Sequence, residues 1–256
     1  MGADMQPKDV PVFLSGANMK LPEVPELTLR RLVPADYDLV LRFRSDIVSG
    51  LANPDQLRLM PNEEQYVEDS LKSQNFAEGL FKDGRLVAYN SLFLPNNDDD
   101  LQELHIHELV KGRASPDALA YAGGVMVDPA YRGHSLQKLL IDVRKVVMAA
   151  LGRPHHFATV GFGNYFSWRN ILDSGARVVE VFDFEDPRHG PTSRMFTHLS
   201  PSPPPLSAEK TWMDSLDISG QRDLLHDGHV GTEYRVLDGR ADIAYQQEIT
   251  PRSPPG

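Results

Sequence analysis

Apolar and polar positions change period along this chain, and the changes mark its elements. Residues 26–33 (ELTLRRLV) alternate, with Leu27, Leu29 and Arg31 on one side and Thr28, Arg30 and Leu32 on the other, which predicts a strand. Pro34 follows with a φ suited to a first helical turn, and Asp36 lies in that turn. Leu39, Val40, Phe43 and Ile47 then recur at helical spacing through Val48. A second helix is predicted over 62–72, with Asn62 as its cap and Glu63 and Glu64 near its positive end. Residues 76–81 and 86–94 read as paired strands, because Asp83-Gly84 between them supplies the positive φ values of a tight hairpin turn. Residues 95–100 (PNNDDD) read as a solvated loop, and residues 101–110 (LQELHIHELV) fit either a strand or a short helix.

The pattern is most regular over 120–175. An apolar strand over 120–127 runs into Asp128-Pro129, a tight Tyr131-Arg132-Gly133 turn, and a helix over 133–151 with Leu136, Leu139, Leu140, Val143 and Val147 on its buried stripe. A strand over 155–162, a helix over 164–174 that stops at Gly175, and strands over 176–182 and 193–199 follow. A strand, a turn of exposed amides and a helix N-terminus make an anion-binding corner. Early strands followed by alternating strands and helices predict an α/β fold, a mixed sheet covered on both faces. Residues 1–25 read as an arm, 200–210 as a proline-rich linker, 211–250 as a small extension and 251–256 as a disordered tail. Within the extension, a helix is predicted over 212–225 and an Asp-Gly hairpin joins 233–237 to 241–246.

Composition narrows the chemistry. The chain has 256 residues, a net charge of −10 and no cysteine. An acidic surface argues against general nucleic-acid or anionic-membrane binding. The lack of cysteine removes disulfides, thiolate catalysis and zinc–thiolate sites. His105-x-His107 with His155-His156 is read as a chance pattern, so no metal is expected. The first residues, MGADMQPKDV, lack the basic start and apolar core of a signal peptide, and no apolar run is long enough to span a bilayer. The expectation is a soluble cytoplasmic protein.

With these residues in view, the stretch 26–199 resembles the GNAT superfamily of N-acyltransferases. Val127-Asp128-Pro129-Ala130-Tyr131-Arg132-Gly133 is similar to the family's Val-x-Pro-x-Tyr-Arg-Gly entry, and Arg132 takes the first position of its Arg/Gln-x-x-Gly-x-Gly/Ala loop. Ser135 and Gln137 stand where that loop has small residues. The resemblance implies a GNAT-like fold and an acyl-CoA co-substrate, acetyl-CoA above all. It implies that the backbone of Arg132, Gly133, His134, Ser135, Leu136 and Gln137 cradles the pyrophosphate. It also implies that pantetheine lies along Val125, Met126 and Val127, in a slot where strand 155–162 splays from strand 120–127. Asn164-Tyr165-Phe166-Ser167 resembles the family's Asn-x-x-Ala helix and implies contacts from Asn164 and Ser167 to the same arm. The implied activity is transfer of the acyl group to an amine of a small molecule or peptide.

Two positions depart from the family. Ile171 stands where many members have a tyrosine as general acid, and strand 120–127 carries no carboxylate to act as base. Glu103, His105, His107 and Glu108 lead toward that strand and are the candidate bases, histidine having a suitable intrinsic pKa. Tyr165 or Ser167 are the candidates to serve the departing thiolate.

Blander readings stand beside these. Arg132 to Ser135 also fits an ordinary strand-to-helix turn, Asn164 a simple cap, and Glu103 to Glu108 a solvated edge. Phe162, Tyr165, Phe166 and Trp168 read as core or slot wall. Two other functions compete: a catalytically silent GNAT-fold module that binds CoA or a partner, and a serine hydrolase. The hydrolase rests on Gly133-His134-Ser135-Leu136-Gln137, which is one glycine short of a nucleophile elbow, with His189 or His226 completing a triad around Ser135. Against it, Asp128 to Arg132 separates the strand from the serine. The extension's hairpin is suited to adding to a sheet edge, within the chain or across a homodimer.

Overall fold

Local turn chemistry fixes the first strands. In the computed structural model, which describes residues 10–51, 62–186 and 190–249, Asp83 and Gly84 adopt φ of 48° and 79°. They close the hairpin between β3 (Phe76–Lys82) and β4 (Arg85–Phe93), as Asp-Gly predicts. The chain divides into two compact units, residues 1–158 and 159–256.

The first unit builds a sheet in the order β1-β2-β3-β4-β5-β6. Its other strands are β1 (Met19–Lys20), β2 (Thr28–Arg31), β5 (Leu119–Val127) and β6 (His155–Gly161), the last of which continues into the second unit. Neighbours are antiparallel except β5 and β6, which are parallel. Helices α2 (Tyr37–Ser49) and α3 (Glu63–Leu71) pack where Tyr89 and Ser91 of β4 point. Pleating sends Asn90 to the opposite face, which α6 (Leu136–Ala150) covers together with α1 (Val10–Leu14). The predicted stripe of α6 is buried in full, at Leu136, Leu139, Leu140, Val143 and Val147. Asn62 caps α3 as expected, accepting from the Gln65 amide at 3.1 Å.

The second unit pairs its strands in the order β8-β7-β10-β11-β9. These are β7 (Arg177–Asp186), β8 (Gly190–Leu199), β9 (Thr211–Asp214), β10 (His229–Leu237) and β11 (Arg240–Gln247). The Asp238-Gly239 turn makes the predicted β10–β11 hairpin, which joins β7 through Gly231↔Val178. The extension's hairpin therefore adds to a sheet edge of its own chain. Helices α7 (Tyr165–Asp173) and α8 (Ile218–His226) pack on this sheet. Gln221 of α8 accepts from the Tyr245 hydroxyl at 2.6 Å and donates to the Asp214 and Ser215 carbonyls, which satisfies a buried amide.

Several expectations are corrected. The stretch read as an arm contains α1 and β1, and its Val10, Phe13 and, just past β1, Leu21 are buried; its residues 1–9 lie outside the described residues, as does the tail. Residues 95–100, read as a solvated loop, turn helical at Asp98, and of the two readings of 101–110 the short helix holds. Asn97 caps α4 (Asp98–Glu103), whose acidic first turn complements the helix dipole, and α5 (His107–Val110) follows. Trp212 to Asp214 is strand β9, not the start of a helix, because pairing with β11 outweighs local propensity.

A buried polar cluster lies on the α6 face. Glu78 of β3, Asn90 of β4, Arg144 of α6 and His156 of β6 are all buried, and Asn90 donates to Glu78 at 2.9 Å. Burial pushes the Glu78 carboxyl up to about 7 and holds His156 down to about 3. A raised carboxyl stabilises the fold fully below its unfolded value of 4.5, and that contribution is lost as pH rises through 7. Glu78→Gln is therefore expected to match the wild type at pH 4.5 and to exceed it at pH 8.5, by on the order of 1 kcal/mol or more. Urea melts at the two pH values check this, and equal gaps at both would contradict it.

Candidate active site

The loop after β5 is held open by its first residues. Asp128 accepts from the Ala130 amide at 2.9 Å and from Arg85 at 2.7 Å, and Pro129 to Tyr131 form a single 3-10 turn. Arg132 donates back to the Val127 carbonyl at 3.3 Å. Gly133 then takes φ of 83° and Ser135 φ of 57°. Helix α6 begins only at Leu136, later than the predicted Gly133, because two left-handed residues interrupt helical geometry. Arg132, Gly133, His134 and Ser135 are exposed, Gln137 is half-buried and Leu136 is buried under the sheet. Ser135 occupies the cap position without its side chain capping the helix. Alternating left-handed residues turn successive amides toward one side, and the first amides of α6 add to them. With Arg132 and Lys138 beside it, this corner is chemically a site for a polyanion.

The strand leading to the corner is irregular. β5 pairs with β6 from Leu119↔His155 to Ala122↔Ala158, then runs on beside β4 through Val125, Met126 and Val127. At Gly123 it bulges, since Leu92 faces Ala122 while Ser91 faces Gly124. The Gly123 carbonyl accepts a hydrogen bond from Tyr66 of α3, and Ser91 Oγ lies 2.8 Å from the same hydroxyl. A Cβ on Gly123 would meet the Tyr66 oxygen at 2.3 Å and Phe93 at 2.6 Å. Arg44 of α2 stacks 4.4 Å from the centre of the Tyr66 ring and pairs with Glu63 at 2.6 Å. Sequence reasoning missed Tyr66 and Ser91. The available signal was Gly123-Gly124 inside a strand, which marks a bulge or a close approach.

Solved structures share this arrangement of elements. The chain is similar to yncA of Salmonella typhimurium, solved with its cofactor acetyl-CoA, at 15% identity and a TM-score of 0.52 over 69% of this chain and 95% of that one. It is similar to the ribosomal-protein-S18-alanine N-acetyltransferase of Escherichia coli at 13% identity and a TM-score of 0.50 over 69% and 96%. An N-acetyltransferase of Staphylococcus aureus Mu50 aligns at 10% identity and a TM-score of 0.50 over 68% and 97%. This is the GNAT N-acetyltransferase fold. No family model matches the sequence, and no curated protein matches it.

Within the GNAT fold the other candidate residues are scattered. Asn164 caps α7, accepting from the Ser167 amide at 3.2 Å, which is the bland half of its expected role. Tyr165 accepts from Arg169 at 2.9 Å, Ser167 is half-buried, Trp168 is buried as core, and Phe166 stands 75% exposed. Ile171 is buried. Glu103 and His105 are exposed, and His107 pairs with Glu108 at 3.0 Å. The segment carrying these four residues precedes β5, whose length puts its first residue about 26 Å from its last at 3.3 Å per residue. Arg153, just past the far end of α6, binds the carbonyls of Pro95, Pro116 and Leu119 and so fixes both ends of that segment. Ser135 is cut off from β5 by Asp128 to His134 and a 3-10 turn, which is not a nucleophile elbow, and His189 lies outside the described residues. Among the described residues, no three His, Asp or Glu side chains are grouped to hold a metal, and no helix is long and apolar enough to cross a membrane.

The left-handed Ser135 gives a direct test of this loop. A non-glycine residue there costs about 1–2 kcal/mol, against about 0.4–1 kcal/mol of extra unfolded-state entropy for glycine. Ser135→Gly is expected to raise stability by roughly 0.5–1 kcal/mol and Ser135→Val to lower it. Urea denaturation of the pair measures the difference, and a destabilised glycine variant would show that the loop is built otherwise.

Proposed function

We propose that this protein is an acyl-CoA-dependent N-acyltransferase, with acetyl-CoA as donor and an amine of a small molecule or peptide as acceptor. Residues 26–199 carry the acyltransferase domain, and 211–250 form an extension to it. The observation that carries the reading is the exposed corner at Gly133 and Ser135, placed where β5 meets the N-terminus of a long helix. A pyrophosphate fits its chemistry: backbone donors from Gly133 to Gln137, with Arg132 and Lys138 as flanking cations. Amides of a pantetheine arm pair with backbone along Val125, Met126 and Val127, beyond the last β5–β6 pair at Ala122↔Ala158.

The reaction follows from direct attack. A neutral amine attacks the thioester carbonyl carbon, a C–N bond forms and the C–S bond breaks. The amine gives up one proton and the departing thiolate takes up one. Ile171 cannot supply that proton, so positioning carries more of the rate. Holding amine and thioester in register contributes about 7–11 kcal/mol without a strong side-chain base. Glu103, His105 and His107 remain the candidates for the proton from the amine, and Tyr165 and Ser167 for the proton to sulfur.

The exposed corner is equally open to a silent CoA-binding module, and one experiment separates the two. Purified protein is given acetyl-CoA with a panel of amines while thiol release is followed. Turnover with at least one amine is expected, and Arg132→Glu is expected to weaken CoA binding by roughly 10- to 100-fold, the worth of one charge-assisted contact turned repulsive. CoA binding without thiol release from any donor would leave the silent module standing, and unchanged affinity in Arg132→Glu would contradict the loop assignment.

A further inference from the structure

We propose that Arg85 is a positioning residue for the pyrophosphate end of the acyl-CoA, acting through Asp128 and not by touching the ligand; the inference rests on the N-acyltransferase reading above. Asp128 is the junction between β5 and the corner, and each of its polar atoms is committed. Its amide donates to the Val87 carbonyl at 2.9 Å, and its carbonyl accepts from the Tyr131 amide at 2.8 Å. Carboxylate Oδ1 accepts from the Ala130 amide at 2.9 Å, and Oδ2 accepts from Arg85 at 2.7 Å. The first three bonds have backbone partners. The last depends on a single side chain, supplied by another strand.

The two members of that pair are placed unequally. The Asp128 side chain is 10% exposed and that of Arg85 73%. An exposed ion pair adds little to stability, yet a nearly buried carboxylate is weakly screened by solvent and salt. Asp128 precedes Gly133 by five residues, and the 3-10 turn between them rises only about 2 Å per residue, so the carboxylate stays close to the corner. On a chain of net charge −10, an unanswered carboxylate there would add a local repulsion to a general one against any pyrophosphate. Arg85 cancels that local charge, and by holding Oδ2 it keeps Oδ1 on the Ala130 amide. The Asp83-Gly84 turn delivers it: β4 starts at Arg85, two residues before the Val87 carbonyl that takes the Asp128 amide. A hairpin that contributes no residue to the corner thus sets both its shape and its potential.

The test is a double-mutant cycle of Arg85→Ala and Asp128→Asn. It is read by calorimetry of CoA and by steady-state kinetics with two donors, acetyl-CoA and S-acetylpantetheine, which lacks the pyrophosphate. Arg85→Ala alone is expected to weaken CoA binding and raise KM for acetyl-CoA by roughly 5- to 50-fold, with kcat within about twofold of wild type. With S-acetylpantetheine the same variant is expected to keep kcat/KM within about twofold, which damage to the fold would not allow. Asp128→Asn removes the charge that Arg85 answers, so Arg85→Ala added to it is expected to change CoA affinity by less than about twofold. Full additivity would show that Arg85 meets the ligand directly and would overturn the proposal. An unchanged affinity in Arg85→Ala, or an equal loss with both donors, would overturn it too. If the wild type binds CoA but turns over no amine, the affinity cycle decides alone. A wild type that binds no CoA overturns the reading beneath the proposal, which is a distinct result from CoA binding indifferent to Arg85.

Discussion

Gly123 has no room for a side chain, and much of the first unit is arranged around that fact. Tyr66, Phe93 and Ser91 crowd the space a Cβ would need. Helix α3 is thereby tied to the middle of β5 by a hydroxyl rather than by apolar contact alone. The bulge that results breaks the β4–β5 register and changes which faces the following residues present. Everything downstream, from Val125 to the loop at Arg132, takes its position from that break. The arginine beneath, Arg44, is almost fully buried yet neutralised by Glu63 and stacked on Tyr66, so the same cluster supports both the ring and a charge.

The opposite face of the same sheet carries a second buried polar group, with a different balance. Glu78, Asn90, Arg144 and His156 lie under α6, the helix whose N-terminus forms the anion corner. Glu78 Oε2, Asn90 Oδ1 and Arg144 Nε have no hydrogen-bond partner among the described residues. Burying unsatisfied groups costs about 1–3 kcal/mol each. A carboxyl displaced toward neutrality and a histidine held neutral reduce that cost, because a neutral group is less expensive to bury than a charged one. The helix is thus held down by apolar contacts along Leu136, Leu139, Leu140, Val143 and Val147 against a polar seam that opposes them.

How much of this was legible in the sequence depended on the range of the interaction. Asp83-Gly84 and Asp238-Gly239 announced their hairpins because the turn needs nothing beyond its own residues. Asn62 and Asn164 announced their helices for the same reason. The stripe of α6 and the Val127-to-Gly133 entry were equally plain. The short elements were not: α1 and β9 form because their partners are elsewhere in the chain, and four residues such as Thr211–Asp214 hold too little periodicity to tell. Ser135 hid its left-handed φ because serine does not advertise one. Tyr66 and Gly123 lie 57 positions apart in sequence, so no local pattern connects them. The candidate site was therefore readable on its phosphate side, where one loop supplies the chemistry, and unreadable where two distant elements meet.

The central claim is that an acyl-CoA lies with its phosphates at the start of α6 and its arm along β5. Amide shift mapping of the 15N-labelled protein during titration with acetyl-CoA tests it most directly. The largest perturbations are expected on Gly133 to Gln137, continuing through Gly124 to Val127. Perturbations confined to other elements, with the amides of Gly133, His134 and Ser135 unmoved at saturation, would contradict it.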